Sequence, residues 1–566
     1  MGKLLSLYIL VVVAIPCYGK TIYVDGDAAG ANNGLSWADA YNYVQDASVV
    51  AVADDEILVA EGIYRPDEDS AHPDGTGNRN ISFKLKNGVK LKGGYAGISE
   101  SNPDLRAPLA YATILSGDLN ENDIEVADAL DLRDEPTRTE NSEHVIDASG
   151  TNNTTELDGF TIANGRAGSR GGGIYNISGS PLISKCRFYA NSSGYRGGGI
   201  YNQNGSSPAL DNCVFQINYA QEGAAMCGYT NCSPILVDCF FEENKTTTWS
   251  GGGMYNRYGS NPNIINCYFL NNYSGDNGGG ILNDGNSRPH LRNCVFLGNQ
   301  ARSGGGAIEN SGNSTATLTN CTLANNSANH GGGISNMSSS SVLSSCIFWG
   351  NTDSGSSDFS AQIFGGNTLE INYSCIQGWD NSITGIGNIG DDPLLETDHY
   401  HLQLNSPCIN AGDPEYIIVE EDTDIDSEFR VMAGRVDIGA DEVMLGPLSE
   451  IEWLLNIAIK NKNLASSSLA VAIAKEKSAL AVFEEYLNES APDSSDSEKV
   501  IKAQSKVRMA LTHERIANRM LAKSIKELEQ GLKILKTENM NNSSSTYLET
   551  SLAVLDDLDG LNDGRC

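Results

Sequence analysis

Three places in the sequence carry residue types that could do chemistry. The first is the acidic segment "SGDLNENDIEVADALDLRDEPTRTENSEH", residues 116–144, where Asp118, Asn120, Asn122 and Asp123 offer the oxygen ligands that Ca²⁺ takes. Asp118-x-Asn120-x-Asn122 copies the opening of a helix-loop-helix calcium loop. That reading fails two steps later, because Asp123 replaces the turn glycine and Ala129 the bidentate carboxylate. A looser Ca²⁺ site built from those four residues is what remains, and no other cofactor is required. The second place is the series Arg170, Arg196 and Glu222, which could line one face and bind a sugar acid, or stand as a solvated rim. The third is "CGYTNC", whose Cys227 and Cys232 form a local disulfide candidate. A metal fits that pair poorly, since no histidine or second close cysteine pair accompanies it.

No catalytic residue can be assigned. The chain shows no Ser/His/Asp spacing, no phosphate loop and no histidine-rich motif. A polysaccharide lyase would need clustered carboxylates with a Lys or Arg base, and an inverting glycoside hydrolase would need paired acids on neighbouring elements. Asp211, Asp238, Asp284 and Glu309 fall at different phases and assemble no such pair. His330 reads as a surface corner residue of the repeats, and "EEDTDIDSEFR" reads as a second acidic, solvated loop.

The elements that must position these residues are set by a repeat. Glycine triplets begin at Gly171, Gly197, Gly251, Gly278, Gly304 and Gly331, with Gly223-Ala224-Ala225 as a degenerate copy. Cys186, Cys213, Cys239, Cys267, Cys294, Cys321 and Cys346 keep the same period. So does Phe-x-x-Asn from Phe188/Asn191 to Phe348/Asn351, with Leu323/Asn326 as its one variant. A unit of 26–28 residues holding short β-prone runs between Gly, Asn and Ser corners predicts one coil of a right-handed parallel β-helix. Coils stacked about 4.8 Å apart would bring equivalent residues directly above one another. Asn176, Asn202, Asn256, Asn283, Asn310 and Asn336 are then expected to form an amide ladder, and the Phe and Cys columns to fill the core. The residues before the triplets would form one column: Arg170, Arg196, Glu222, Ser250, Asn277, Ser303 and His330.

The ends need caps, because an open β-helix exposes pairing edges. Trp37, Ala40, Tyr41, Val44 and Ala47 lie at helical spacing and predict an amphipathic helix over the first coil, with strands in "DEILVAEGIY", "ISFKLKNGVKLKGGYAG" and "ATILSG". The chain resembles secreted bacterial right-handed β-helix proteins whose repeats are like those of the polymorphic outer-membrane protein family. The resemblance rests on the Gly-Gly-[Gly/Ala]-Ile and Phe-x-x-Asn series over 158–351. It extends to "YVDG…SWADAYNYVQDA…DEILVAEGIYRP" and to "SPCINAGDP…VDIGADE", which is similar to the end of the choice-of-anchor group. It implies an all-β, pectate-lyase-like solenoid. It implies little about function, because such proteins include adhesins, polysaccharide-active enzymes and surface proteins.

The expected organisation is a signal peptide over 1–19, a cap and first coils with the acidic insert over 20–157, and regular repeats over 158–351. Terminal coils and a C-terminal cap follow over 352–446, then a helical hairpin and polar tail over 447–566. Lys3 followed by apolar Leu4 to Ile15 is the basis for the signal peptide, and hence for a secreted or cell-surface location. Helical spacing over 449–489 and 496–538 suggests a hairpin able to mediate self-association. The formal net charge is −34; residues from Leu448 onward hold 15 Lys/Arg and 18 Asp/Glu, or −3, which leaves −31 on the preceding 447. That charge argues against nucleic acid as a partner, and no later apolar run would cross a membrane. A polysaccharide or cell-surface glycan is the expected partner. Two functions stay open: a non-enzymatic surface rod for adhesion, glycan contact or structure, and a carbohydrate-active enzyme of the pectate-lyase-like superfamily.

Overall fold

The computed structural model of the protein describes residues 19–443, apart from 367–368, 381–383, 418–422, 427, 429 and 432–434. The expected signal peptide (all but Gly19) and the helical stretches at 449–489 and 496–538 lie outside the described residues. The chain divides into two compact units. One comprises Pro414–Asp422, Phe429–Asp437 and Glu442–Cys566; the solenoid belongs to the other, Met1–Asp413 with Thr423–Glu428 and Ile438–Asp441.

Every pairing between strands is parallel, and the strands form four sheets of 12, 11, 10 and 8 members. A regular coil runs Ile200–Gln203, Ala209–Asp211, Val214–Gln216 and Tyr219–Ala220, one strand per sheet, before the next coil starts at Met226–Tyr229. Pairing is always between equivalent residues of successive coils, as in Asn202↔Gly228 and Phe215↔Phe241. This is the right-handed parallel β-helix the period predicts, with eight coils contributing a strand to all four sheets and less complete coils at the ends.

The columns explain the period. Phe188, Phe215, Phe241, Phe269 and Phe296 are fully buried, and their rings stack 4.5–4.7 Å apart within 3–6° of parallel. Asn191, Asn218, Asn244, Asn272, Asn299, Asn326 and Asn351 form a buried ladder in which each amide donates to the next Oδ1 at 2.9–3.2 Å. Each amide also donates to a carbonyl of the coil before, as Asn244 does to Phe215 O at 2.9 Å, so neither its protons nor its oxygen is left dry. The second ladder joins Asn176 to Asn202 at 2.7 Å and runs through Asn256, Asn283, Asn310 and Asn336 at 2.9 Å. The first triplet glycine needs a positive φ, for example +62° at Gly223 and +77° at Gly251.

That conformation also corrects one phase. The left-handed glycine in the sixth coil is Gly305 (φ +64°), and Gly304 bridges His330. The triplet there is Gly305-Gly306-Ala307, and the residue preceding it is Gly304, not Ser303.

The N-terminal cap is built differently from its helical spacing. Only Val44–Val50 is helical, burying Val44 and Ala47 over the first coil. Tyr41 pairs with Val24 in extended form, and Asn42 Nδ2 donates to the carbonyls of Asp25, Gly26 and Ala28, so no helix can begin before Tyr43. Trp37 instead packs outside the first coils against Tyr23 and Tyr95, its ring 4.9 Å and 5.6 Å from theirs. Among the described residues no helix is long and apolar enough to cross a membrane.

Candidate ligand-binding face

The residues of "IYNQ" and its equivalents alternate inward and outward, as a strand must. Ile200 and Asn202 point into the coil; Tyr201 and Gln203 point out. The outward column aligned by strand pairing is Tyr175, Tyr201, Cys227, Tyr255, Leu282, Glu309 and Ser335. The next outward column is Ile177, Gln203, Tyr229, Arg257 and Asp284. Residues preceding the triplets come down beside them, and Arg170↔Arg196 and Arg196↔Glu222 are successive parallel bridges. The three ligand candidates of the sequence therefore do share one face on consecutive coils.

Their roles differ from either expectation. Arg196 and Glu222 are 4% and 1% exposed, so they are neither ligand contacts nor a solvated rim. Arg196 Nε meets Glu222 Oε2 at 2.5 Å. Its guanidinium carbon lies 4.1 Å from the Tyr195 ring and 4.2 Å from that of Tyr229, and Nη2 donates to Tyr195 Oη at 2.9 Å. Burial works to lower the Arg196 pKa, but the hydrogen bond and charge of Glu222 outweigh it and hold the group above the ordinary arginine value. Glu222 reaches a second cation, Arg257 Nη1, at 3.6 Å, and Arg257 Nε lies 3.2 Å from Asp284 Oδ2. Arg257 also sits 4.6 Å from the ring of Tyr258. The pair Arg196–Glu222 is thus a buried brace that fixes tyrosine rings in place.

Arg170 is the exception. It is half-buried, with its guanidinium 5.4 Å from the Tyr201 ring. Among the described residues it has no carboxylate partner, and its Nε is buried without a hydrogen bond. Around this brace the rings of Tyr258 and Trp249 are 44% and 48% exposed, and Tyr175 and Tyr229 are partly so. Arg170, Arg196 and Arg257 against Glu222 and Asp284 give a formal +1, within a chain of −34.

Cys227 and Cys232 are two free, buried thiols, not a disulfide. Cys227 occupies the outward tyrosine column between Tyr201 and Tyr255. Cys232 occupies an inward serine column: its Sγ contacts Tyr229 O three residues back, as Ser206 Oγ does Gln203 O and Ser260 Oγ does Arg257 O. Cys227 faces outward from the strand Met226–Tyr229, whereas Cys232 faces inward from the corner that follows it. Cys232 also replaces a small hydroxyl beside Gly228, which stands where the ladder otherwise has Asn; a Cβ on Gly228 would lie 3.5 Å from that of Cys232.

The acidic segment folds back on the solenoid. Val126, Ala129 and Leu132 pack on Ala190, Ile217 and Tyr219, and Asp128 pairs with Lys245 at 2.8 Å. Beside it a cleft of about 350 Å³ opens between Leu130 and the coil residues Lys245, Asn271, Tyr273 and Gln300. Asp118 and Asp123 come together as the sequence suggests, whereas Asn120 and Asn122 are exposed and only the backbone N–H of Asn122 joins them, donating to Asp118 Oδ1 at 3.2 Å. Glu140, from the far end of the segment, takes their place. Burial pushes the Asp123 carboxyl up to about 6 despite the Arg138 guanidinium beside it.

Two further groups lie outside the site candidates of the sequence: Glu309, weighed there only as a member of an acid pair, and His401. Glu309, 1% exposed in the outward column, is raised to about 8 by burial. His401 is held between Asp398 (Nδ1 to Oδ2, 2.5 Å) and Asp426. Burial lowers its pKa, but these hydrogen bonds prevail and carry it up to about 9. A lone Glu and a single His carry no periodic signal, so only the coil register and the return of the cap loops assemble these clusters.

Among known proteins, the model of the right-handed β-helix region family matches residues 228–372. No curated protein matches the chain. Among solved structures, the crystal structure of a pectate lyase superposes over 75% of this chain and 96% of its own, at 14% identity and a TM-score of 0.45. Family match and strand register agree, and residues 228–372 are a right-handed β-helix region.

Proposed function

We propose that the protein is an exported β-helix rod that contacts a glycan through the tyrosine–arginine face and does not cleave it. The observation that carries this reading is Arg170, a cation with no carboxylate partner among the described residues, set in a row of tyrosine rings held by the buried Arg196–Glu222 brace. Tyrosine and tryptophan rings pack on the apolar faces of sugars, and a guanidinium takes a carboxylate in two parallel hydrogen bonds. The strip from Tyr175 to Tyr258 covers four coils, about 14 Å at the usual strand spacing, which suits an extended saccharide. A formal +1 inside so acidic a chain favours a glycan with isolated acidic groups over a dense polyanion. Export rests on the sequence alone, on Lys3 and the apolar run Leu4 to Ile15.

A carbohydrate-active enzyme is the second reading, and Glu309 is the observation in its favour. A carboxyl raised to about 8 is protonated at neutral pH, as a general acid must be. Yet Glu309 is 1% exposed, which keeps it from a substrate, and this reading ranks second. The test is incubation with a panel of neutral and uronate-bearing polysaccharides, with and without Ca²⁺, scoring both retention and new reducing or unsaturated ends. Retention without new ends is expected. Turnover would move the assignment to the enzyme, and neither retention nor turnover would overturn the glycan reading.

A further inference from the structure

We infer that the acidic segment holds a structural Ca²⁺ ion between its two ends, bound by Asp118, Asp123, Glu140 and the side-chain carbonyl of Asn141. Carboxylate oxygens of Asp118, Asp123 and Glu140 all lie within 4.8 Å of one another, the greatest separation two oxygens reach across one cation with bonds of about 2.4 Å. The independent observation is a set of orphaned oxygens. Asp123 Oδ1, Glu140 Oε1 and Asn141 Oδ1 are each buried without a hydrogen-bond partner. Asn141 is fully buried, and its amide orientation is fixed: Nδ2 donates to Asp123 Oδ2 at 2.8 Å and to Asn164 O at 2.7 Å. Its oxygen is therefore the atom left over, on an amide already lying against Asp123. Buried oxygens without protons to accept are costly, and a cation is the partner that satisfies several at once.

Charge supports the same ion. Three carboxylates carry −3, and Arg138, whose Nη1 lies 3.1 Å from Asp123 Oδ2, returns +1. The cluster is left at −2. Arg65 donates from Nε to Asp118 O, but its terminal nitrogens are taken by Glu68 and Glu121 at 3.2 Å and 3.1 Å. A divalent cation would bring the cluster to neutrality. All-oxygen ligands without His or Cys select Ca²⁺ over transition metals, and the ligands' origin in irregular backbone suits its flexible geometry better than the strict octahedron of Mg²⁺. The consequence is mechanical. Asp118 and Asp123 open the segment and Glu140 and Asn141 close it, so the ion would clip the loop that carries Asp128 and Leu130 to the wall of the cleft.

The test uses the full chain freed of metal with EGTA. Titration calorimetry with CaCl₂ and thermal melting in excess CaCl₂ or MgCl₂ are compared for wild type, Glu140→Gln and Asp123→Asn. Expected are heat of binding in wild type, a melting temperature raised by Ca²⁺ more than by Mg²⁺, and at least a tenfold loss of Ca²⁺ affinity in Glu140→Gln. Absence of binding heat in wild type, or an unchanged affinity in both variants, would overturn the assignment. Should the variants fail to fold, limited proteolysis of wild type decides: Ca²⁺ must slow cleavage within 117–142, and protection confined to other segments would overturn it.

Discussion

Glu222 is the residue on which the tyrosine face turns. It is 1% exposed and faces two guanidiniums, so removing it leaves Arg196 buried without a counter-charge. Glu222→Ala is expected to destabilise by about 3–5 kcal/mol in urea unfolding, and Glu222→Gln, which keeps the hydrogen bond, by clearly less. Equal losses would mean that the brace is packing and not charge. Glu309 gives a prediction of the opposite sense. In the unfolded chain a glutamate titrates near 4.3; in the fold burial raises Glu309 to about 8. The fold therefore favours the protonated form. Its contribution is full below about pH 4, is lost as pH rises towards 8, and is flat beyond. Glu309→Gln cannot ionise, and should unfold at pH 9 with roughly 2–5 kcal/mol more stability than wild type while matching it at pH 4. A wild-type-like pH profile in that variant would contradict the assignment. Neither residue was legible beforehand in its true role, because burial of an outward-facing side chain depends on what neighbouring coils lay over it.

The coil shows what repetition makes legible. Phe188 and Cys186 recur in phase, so their inward stacking could be read before any coordinate, as could the strands about Ile57, Leu91 and Ile114, whereas the buried ladder of Asn191 and its equivalents shows in the sequence only as a period. Glu140 and Asn141 could not, because Glu140 meets Asp118, and Asn141 meets Asp123, only once the segment has closed on itself. Trp37 misled because helical spacing was shared by residues that Asn42 pins in an extended turn. The third coil departs from the repeat twice in concert: Gly228 interrupts the Asn ladder, leaving Asn202 Nδ2 buried without a partner, and Cys232 replaces a column serine beside it. The double change Gly228→Asn with Cys232→Ser should restore the second Asn ladder and the serine column beside it. A gain of about 1–3 kcal/mol is expected in urea unfolding, from two added amide hydrogen bonds and one satisfied donor. Gly228→Asn alone should gain less, since the new side chain meets Cys232. A double variant no more stable than wild type would show that the pairing of these two departures is accidental.

At the scale of the molecule, a rod of stacked coils fixes outward side chains at regular spacing, and the fold itself does not choose between binding and catalysis. The choice rests on chemistry gathered along one face: a brace that immobilises tyrosines, exposed Tyr258 and Trp249, and Arg170 with no carboxylate partner among the described residues. The surrounding −34 adds a condition. Salt should weaken retention of an acidic glycan only modestly, because local attraction to Arg170 and long-range repulsion from the chain are screened together. The most direct measurement is the affinity of wild type, Arg170→Ala and Tyr258→Ala for the polysaccharide retained best from the panel, each variant first shown to melt as wild type does. The account predicts at least a tenfold loss for each variant, with the Arg170→Ala loss confined to glycans bearing acidic groups. Undiminished affinity in both variants would contradict it.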